Sequence, residues 1–307
     1  MNRLEFSFFP PLSPGLSTMP HKIIAIGEVL WDMLPGGRKV GGAPGNFAFH
    51  CSQLGADTAM ISAVGDDELG RELLDYYTQM GLSTELIEVV PDMPTGTVGV
   101  EILNGQPEYT IFENVAWDRI IVTRRHLDRA AEADVVYFGS LVCRSETTRS
   151  SVQKLIAAAP DRAMKVCDIN LRAPFYSIET LRPLLEAADV LKLNDNEIGI
   201  LGDMFEAPAG SVEEKARWFV EKYGYRLLAV TLGPEGALLV SPSETSRYRA
   251  RPVEVVDTVG AGDSFAAQTV VGLLGGLSLG EINRRANELA AFVCTNRGGT
   301  PKHPSAS

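Results

Sequence analysis

The chain has 307 residues, 45% of them hydrophobic and 22% charged, with a formal net charge of −11. That composition can bury a substantial core and is not that of a disordered chain, and the acidic balance argues against a nucleic-acid partner, which selects basic surfaces. No apolar run reaches the roughly 18 residues of a membrane span, and the four cysteines and four histidines are scattered without metal-ligand or CxxC spacing, so the reading is a reduced, cytoplasmic protein away from any membrane.

Taken in chain order, the opening stretch "MNRLEFSFFPPLSPGLSTMPHK" is broken early by prolines and makes a poor signal peptide. Residues 1–18 are expected to be a disordered extension before a single domain over 19–307. "KIIAIGE" reads as a strand. "VLWDMLPGGRKVGG" is β-like and rich in turns. "APGNFAFHCSQLG" reads as a helix with Pro44 in its first turn and Gly55 as its stop. "AMISAVG" is a strand and "DDELGRELLDYYTQMG" a helix ending at Gly81. "TGTVGVEILNGQPEYTIFE" reads as a hairpin turning at Asn104-Gly105. Four more apolar strands follow, "DVVYFGS", "KVCDIN", "DVLKLN" and "LLAVTLG", with helical stretches near 145–158, 177–188 and 211–223. Nearly continuous apolar strands alternating with helices predict a mostly parallel sheet covered on both faces, a three-layer α/β/α sandwich. The two helix-free interruptions predict a small β lid drawn from about 28–42 and 96–114.

Several stretches carry polar residues where a ligand could be met. In "EVVDTVGAGDSFAAQTVVG" a helix is expected to start near Asp263, behind Gly260, Ala261 and Gly262. Backbone N–H groups at such a start form an anion cradle, and glycine lets the backbone come close to an oxygen. Asp263 then reads either as a base beside a transferring phosphoryl group, kept ionised by the helix end, or as the helix N-cap after a tight turn. "DINLR" brings Asp168, Asn170 and Arg172 to the carboxyl end of a strand, where Arg172 either meets a phosphate or pairs with Asp168. "NDNE" gives Asn194 and Glu197 the spacing of a capping box.

"DTVGAGDSF" closely resembles the C-terminal signature of the ribokinase-like, or PfkB, carbohydrate kinases, and "GGAPGNFAFHCSQLGADTAMISAVGDDELG" their N-terminal signature. The two stand in the family's order, some two hundred residues apart, and the agreement spans nearly everything from Lys22 to Pro301. The competing nucleotide motifs GxxxxGK[ST], GxGxxG and HRD are absent. The resemblance implies a ribokinase-like fold and transfer of the γ-phosphate of ATP, with Mg²⁺, to a sugar hydroxyl. Asp263 would be the base, and the backbone of Gly260, Ala261 and Gly262 the anion hole. Asp32, Gly41, Gly42 and Asn46 would hold the sugar, with Arg172 beside it. Asp32 could otherwise be a surface residue of an edge strand, and Asn46 a polar residue of a first helical turn. Asn194 and Glu197 would lie near the phosphates and the Mg²⁺ water shell. Thr231, Gly233 and Gly236 would line the nucleotide or form an ordinary hairpin turn, and Asn287 would stand on the adenine side. Asp257 and the carbonyl of Val259 would hold a monovalent cation such as K⁺, or Asp257 simply fixes the turn.

The substrate is read from finer detail. "GGAPGN", "PTGT" and "DINLR" are similar to fructokinase-type members, which implies fructose. Where many fructokinases carry a segment like Arg-x-Pro-Ser-Ala-Asp, this chain has "FENVAWDRI". Another sugar, a nucleoside, or an inactive sugar-binding regulator remain as alternatives. Open β edges on the lid, which relatives often pair, also imply a homodimer through it.

Overall fold

A computed structural model describes residues 20–34, 36–103 and 106–304. The expected extension at 1–18 and the turn pair Asn104-Gly105 lie outside the described residues. The first half of the chain runs β1 (Lys22–Ile26), β2 (Leu30–Leu34), β3 (Gly37–Gly41), α1 (Ala43–Gln53), β4 (Asp57–Gly65), α2 (Glu68–Gln79), β5 (Ile87–Val90), β6 (Thr97–Leu103), β7 (Gln106–Ile111), α3 (Arg124–Ala131) and β8 (Val135–Gly139). The second half continues α4 (Glu146–Ala158), β9 (Met164–Asp168), α5 (Ile178–Ala187), β10 (Val190–Asn194), α6 (Asp195–Met204), α7 (Val212–Tyr223), β11 (Leu227–Thr231), β12 (Ala237–Val240), β13 (Thr245–Tyr248), α8 (Ala261–Leu274) and α9 (Leu279–Cys294).

Nine strands make the main sheet, in the order β13-β12-β11-β10-β9-β8-β1-β4-β5. Every pairing from β11 to β5 is parallel, and only β12 and β13 run antiparallel at one edge. Alternation along the strands divides the core in two. From β1, Ile24 and Ile26 join Val136 and Phe138 on one face, packed by Ala130 of α3, Val152 of α4, Leu181 of α5, Ile198 of α6 and Phe219 of α7. Ile23 and Ala25 point the other way, to Phe47 of α1, Leu73 of α2, Phe265 of α8 and Ala286 of α9. Both faces are therefore covered, as the uninterrupted apolar runs require. Phe47 stacks on Tyr137 with ring centroids 3.7 Å apart, pinning α1 to β8.

The second sheet has the order β3-β2-β6-β7, with β2 and β6 parallel and the outer pairs antiparallel. Its own core is small: Leu30 and Val98, with Leu34 and Ile111 packed against them. Trp31 ties it to the body, its Nε1 donating to the Leu69 carbonyl at 2.9 Å. Among the described residues no helix is long and apolar enough to cross a membrane.

Candidate functional site

The carboxyl ends of β1, β8, β9, β10 and β11 open toward the small sheet, and between them lies a cavity of about 630 Å³. Ligands of parallel sheets bind on this side. Glu28, Asp32, Asn46 and Asp263 line it together with Arg172 and Lys192, and Asn194, Glu197 and Thr231 line it as well.

Gly260 caps α8 with φ of 77°, and the helix begins at Ala261. A side chain at Gly260 would meet the Gly299 backbone at 2.5 Å, and one at Gly262 would come 3.0 Å from Lys192 Nζ. The turn thus needs glycine for both conformation and space. Asp263 is not the cap, one of the two readings left open by sequence: it stands in the first turn, two residues beyond the helix start, and Oδ2 accepts from Asn46 Nδ2 at 2.8 Å. Burial lifts its carboxyl to about 6, against the pull of Lys192 and of the Asn46 hydrogen bond. The helix end does not hold it at an ordinary value, but it is still mostly ionised at neutral pH.

Lys192 was not singled out by the sequence, where it sits inside an apolar strand. Its Nζ donates to both carboxylate oxygens of Asp168 at 3.0 Å, and Tyr137 Oη donates to Asp168 Oδ2 at 3.1 Å. Burial pulls the pKa of this amine down. Asp168, Asp263 and Glu197 outweigh burial and raise its pKa, so it remains a cation. With Asp168 committed to Lys192, its pairing with Arg172, one of the two alternatives for that residue, is not made. Arg172 instead lines the cavity, its Nη1 donating to the Leu171 carbonyl at 2.9 Å.

Asp32 lies on β2, an inner strand of the small sheet, so the edge-strand surface reading does not hold. It is half-buried opposite Lys39, and burial raises it to about 6 although Arg172 and Lys39 pull it down. A side chain at Gly41 would stand 2.5 Å from Asp32 Oδ2, and one at Gly42 would meet the Glu28 carbonyl at 2.4 Å. The Gly-Gly pair is what lets these two acids crowd the cavity. Glu28 was also passed over by the sequence reading. It is 4% exposed, with Oε2 buried and without a hydrogen-bond partner among the described residues. Burial raises it to about 7. Asn46 Oδ1 is likewise buried and unpartnered.

At the other end, Asn194 caps α6. Its Oδ1 accepts from Glu197 N and Glu197 Oε2 accepts from Asn194 N, both at 2.8 Å, while Glu197 Oε1 accepts from Leu171 N at 2.8 Å. The capping box is made, and both residues still line the cavity. Burial raises Glu197 despite Lys192. Thr231 reaches the cavity, whereas Gly233 and Gly236 form the short turn between antiparallel β11 and β12 and do not line it. Asn287 is buried on α9, its Nδ2 donating to Asn283 O and Oδ1 at 2.8 Å, and does not line the cavity either.

Asp257 does fix its turn. It accepts from Val259 N at 3.2 Å and Gly298 N at 3.0 Å, and its carboxylate also takes Lys39 Nζ of the small sheet at 2.8 Å. Burial would raise it, but Lys39 and the two amides hold it below the usual carboxylate range. An ammonium thus engages Oδ2 of the carboxylate expected to serve K⁺, while Oδ1 accepts from the Val259 amide. No group of three acidic, histidine or cysteine side chains with metal spacing occurs among the described residues. The "FENVAWDRI" segment packs away from the cavity: Trp117 is buried, Arg144 stands 3.8 Å over its ring and binds Asp118 through Nε and Nη2 at 2.7 and 2.8 Å.

The sequence matches the pfkB family carbohydrate kinase pattern over residues 35–306. It is 30% identical over 301 residues to the uncharacterized sugar kinase PH1459 of Pyrococcus horikoshii, covering 91% of this chain and 93% of that one. The structure of that kinase in complex with ATP superposes with a TM-score of 0.77, over 91% of this chain and 94% of the other. Fructokinase-2 of Solanum lycopersicum is 26% identical over 312 residues, 93% of this chain and 94% of its own. Fructokinase from Vibrio cholerae O395, in a form with fructose, ADP and calcium bound, superposes with a TM-score of 0.78 at 22% identity, covering 92% and 96%. The sandwich with its small separate sheet is the ribokinase-like fold.

Proposed function

Because the chain belongs to the pfkB family of carbohydrate kinases, we propose that it transfers the γ-phosphoryl group of ATP to a hydroxyl of fructose. The observation that carries the reading is Asp263, a buried carboxylate still mostly ionised at neutral pH, held by Asn46 in the first turn of α8 and facing the cavity. The acceptor hydroxyl oxygen forms a bond to the γ-phosphorus, the bond from that phosphorus to the bridging oxygen breaks, and ADP leaves. The hydroxyl proton passes to Asp263; Oδ2 is engaged by Asn46, which leaves Oδ1 for it. The transition state is loose, so the base acts late and an acid of this strength suffices. The first amides of α8, which have no partners inside the helix, face the transferring oxygens together with the Lys192 ammonium.

Asp32 and the free Oδ1 of Asn46 suit a polyol, since a carboxylate accepts from two neighbouring hydroxyls. ATP extends along Asn194, Glu197 and Thr231. Glu197 has lone pairs beyond its two accepted amide hydrogen bonds and can orient water around Mg²⁺, whose chemistry is to neutralise the phosphate charge. No step is assigned to K⁺. Fructose is supported by the "GGAPGN" stretch and by the fructokinases among the similar proteins. Arg172 favours a second acceptor class, a sugar acid, because its guanidinium lines the cavity without a carboxylate partner among the described residues. An ADP-release assay over a panel of ketoses, aldoses, sugar acids and nucleosides decides: fructose should be turned over with the highest kcat/KM, and a sugar acid or nucleoside in that place would displace the reading. Exposed Met33 on the small sheet and Phe112 just after β7 support a homodimer through that sheet, checked by sedimentation.

A further inference from the structure

We propose that Glu28 is a specificity-determining residue, using its unpartnered carboxyl oxygen to hydrogen-bond a hydroxyl at the deep end of the acceptor sugar. The inference rests on the sugar-kinase reading and deepens it.

Glu28 follows the central strand β1 and is clamped in place. A side chain at Gly27 would meet Pro44 Cγ at 2.3 Å, and one at Gly42 the Glu28 carbonyl at 2.4 Å, so the loop cannot back away from the start of α1. The residue lines the main cavity beside Asn46 and Asp263. It also lines a second chamber of about 10 Å³ behind it, shared with Tyr137, Ser140, Asp168 and Asn170. Of the polar groups around Glu28, Tyr137 Oη donates to Asp168, Lys192 donates to Asp168, and Ser140 Oγ donates to the Ile169 carbonyl at 2.5 Å, whereas Tyr77 Oη and Asn46 Oδ1 are buried without partners among the described residues. Glu28 Oε2 is left with none.

Buried polar groups in folded proteins almost always have a partner, and an orphaned one costs stability that a leucine of similar size would avoid. A carboxyl kept there, at the wall of the acceptor cavity, has its partner in the ligand. The charged and titratable groups that act on it are Arg172 and Arg144, which favour its anion, and Asp263, which opposes it; Tyr77 and Tyr137 lie near as neutral phenols. Burial nevertheless raises it to about 7, so the accepting and donating forms are both present near neutrality and either sense of a hydroxyl can be matched. A site that hydrogen-bonds a substrate hydroxyl discriminates strongly against the analogue lacking it, because the protein group is then left unpaired.

The test compares the wild type with Glu28→Leu and Glu28→Gln on fructose and its monodeoxy analogues, with ATP KM measured alongside. In the wild type one deoxy position should lower kcat/KM at least about tenfold more than the others. Glu28→Leu should erase that difference at that position alone. An unchanged deoxy profile in Glu28→Leu, or one flattened equally at every position, overturns the proposal. If Glu28→Leu does not fold, Glu28→Gln decides: a sugar KM that changes near pH 7 in the wild type and is flat in the variant supports the assignment, and identical curves reject it. If fructose is not phosphorylated, the fructose reading falls by itself, and the same cycle runs on the deoxy series of whichever sugar is turned over.

Discussion

At the acceptor end of the cavity, Glu28 Oε2 and Asn46 Oδ1 are buried without partners, and burial raises the carboxyls of Glu28, Asp32 and Asp263 above their ordinary values. At the end proposed for the nucleotide, Asn194 and Glu197 satisfy each other and the Leu171 amide. The first end keeps hydrogen-bonding capacity in reserve at a cost in stability. The second uses the same residue types to cap helices and to set the shape of the wall. Under the proposed function, a variable, hydroxyl-rich acceptor is read by side chains, whereas phosphates are met by backbone amides and fixed charge. Substitutions at the acceptor end should therefore change chemistry and selectivity, and those at the nucleotide end should change stability first.

The largest effect is expected from Asp263→Asn, which keeps the shape and removes the proton acceptor. Its kcat should fall about 10²-fold or more, with ATP KM within about threefold. Turnover near the wild-type level in an ADP-release assay would remove Asp263 as the base. Lys192→Met comes next. It leaves Asp168 buried without its cation, a loss of about 3 kcal/mol or more in urea unfolding. Lys192 is also the largest charge holding Asp263 down. The acid limb of the wild-type kcat/KM profile, expected near pH 6, should therefore move upward in the variant. An unmoved limb separates Lys192 from Asp263.

Asp32→Asn should raise the sugar KM by about tenfold and leave kcat within about threefold, in the manner of a lost ground-state hydrogen bond. Its effect on folding has the opposite sign. The folded-state value near 6 lies above the unfolded 3.8, so the stability associated with this carboxyl is complete below pH 3.8 and is lost as pH rises through 6. Relative to the wild type, Asp32→Asn should thus gain stability at pH 8, by about 1 kcal/mol after allowing for partial exposure. Equal thermal unfolding of the two proteins at pH 8 would count against the strained acceptor end. The smallest effect should come from Asn194→Ala, which removes a helix cap worth about 1 kcal/mol and should change ATP KM by no more than about threefold. A kcat loss comparable to that of Asp263→Asn would collapse the contrast between the two ends.

The layered sheet was legible because β8 to β11 are short apolar runs with turn residues between them, and Gly41-Gly42 and Gly260-Ala261-Gly262 stand out as backbone requirements. Lys192 and Glu28 were not. Each lies in or beside a strand whose neighbours are apolar, and a charged residue there becomes meaningful only when the adjoining strands bring Asp168, Asn46 and Asp263 alongside. The likeness that assigned Gly233, Gly236 and Asn287 to the nucleotide carried no information about which of them reach the cavity wall. Asp257 was open between cation ligand and turn former. Its contact with Lys39 was not legible, because the seat of Lys39 on β3 depends on the β2–β3 register and not on any motif near residue 257.

The hydrogen bond from Asn46 to Asp263 joins residues 217 apart in sequence, and α1 packs directly against α8. On a ribosome adding about 5–20 residues per second, α1 leaves the exit tunnel roughly 10–40 s before the helix that covers it. During that interval β1, β4, β8 and their neighbours can pair and take the sheet-facing side of α1, but the side that packs against α8 has no permanent cover and Asp263 has not been made. The nascent chain thus becomes sheet first and kinase last. A chain released before α8 emerges would retain much of the sheet and expose an apolar helix face to whatever holdase or aggregate it met.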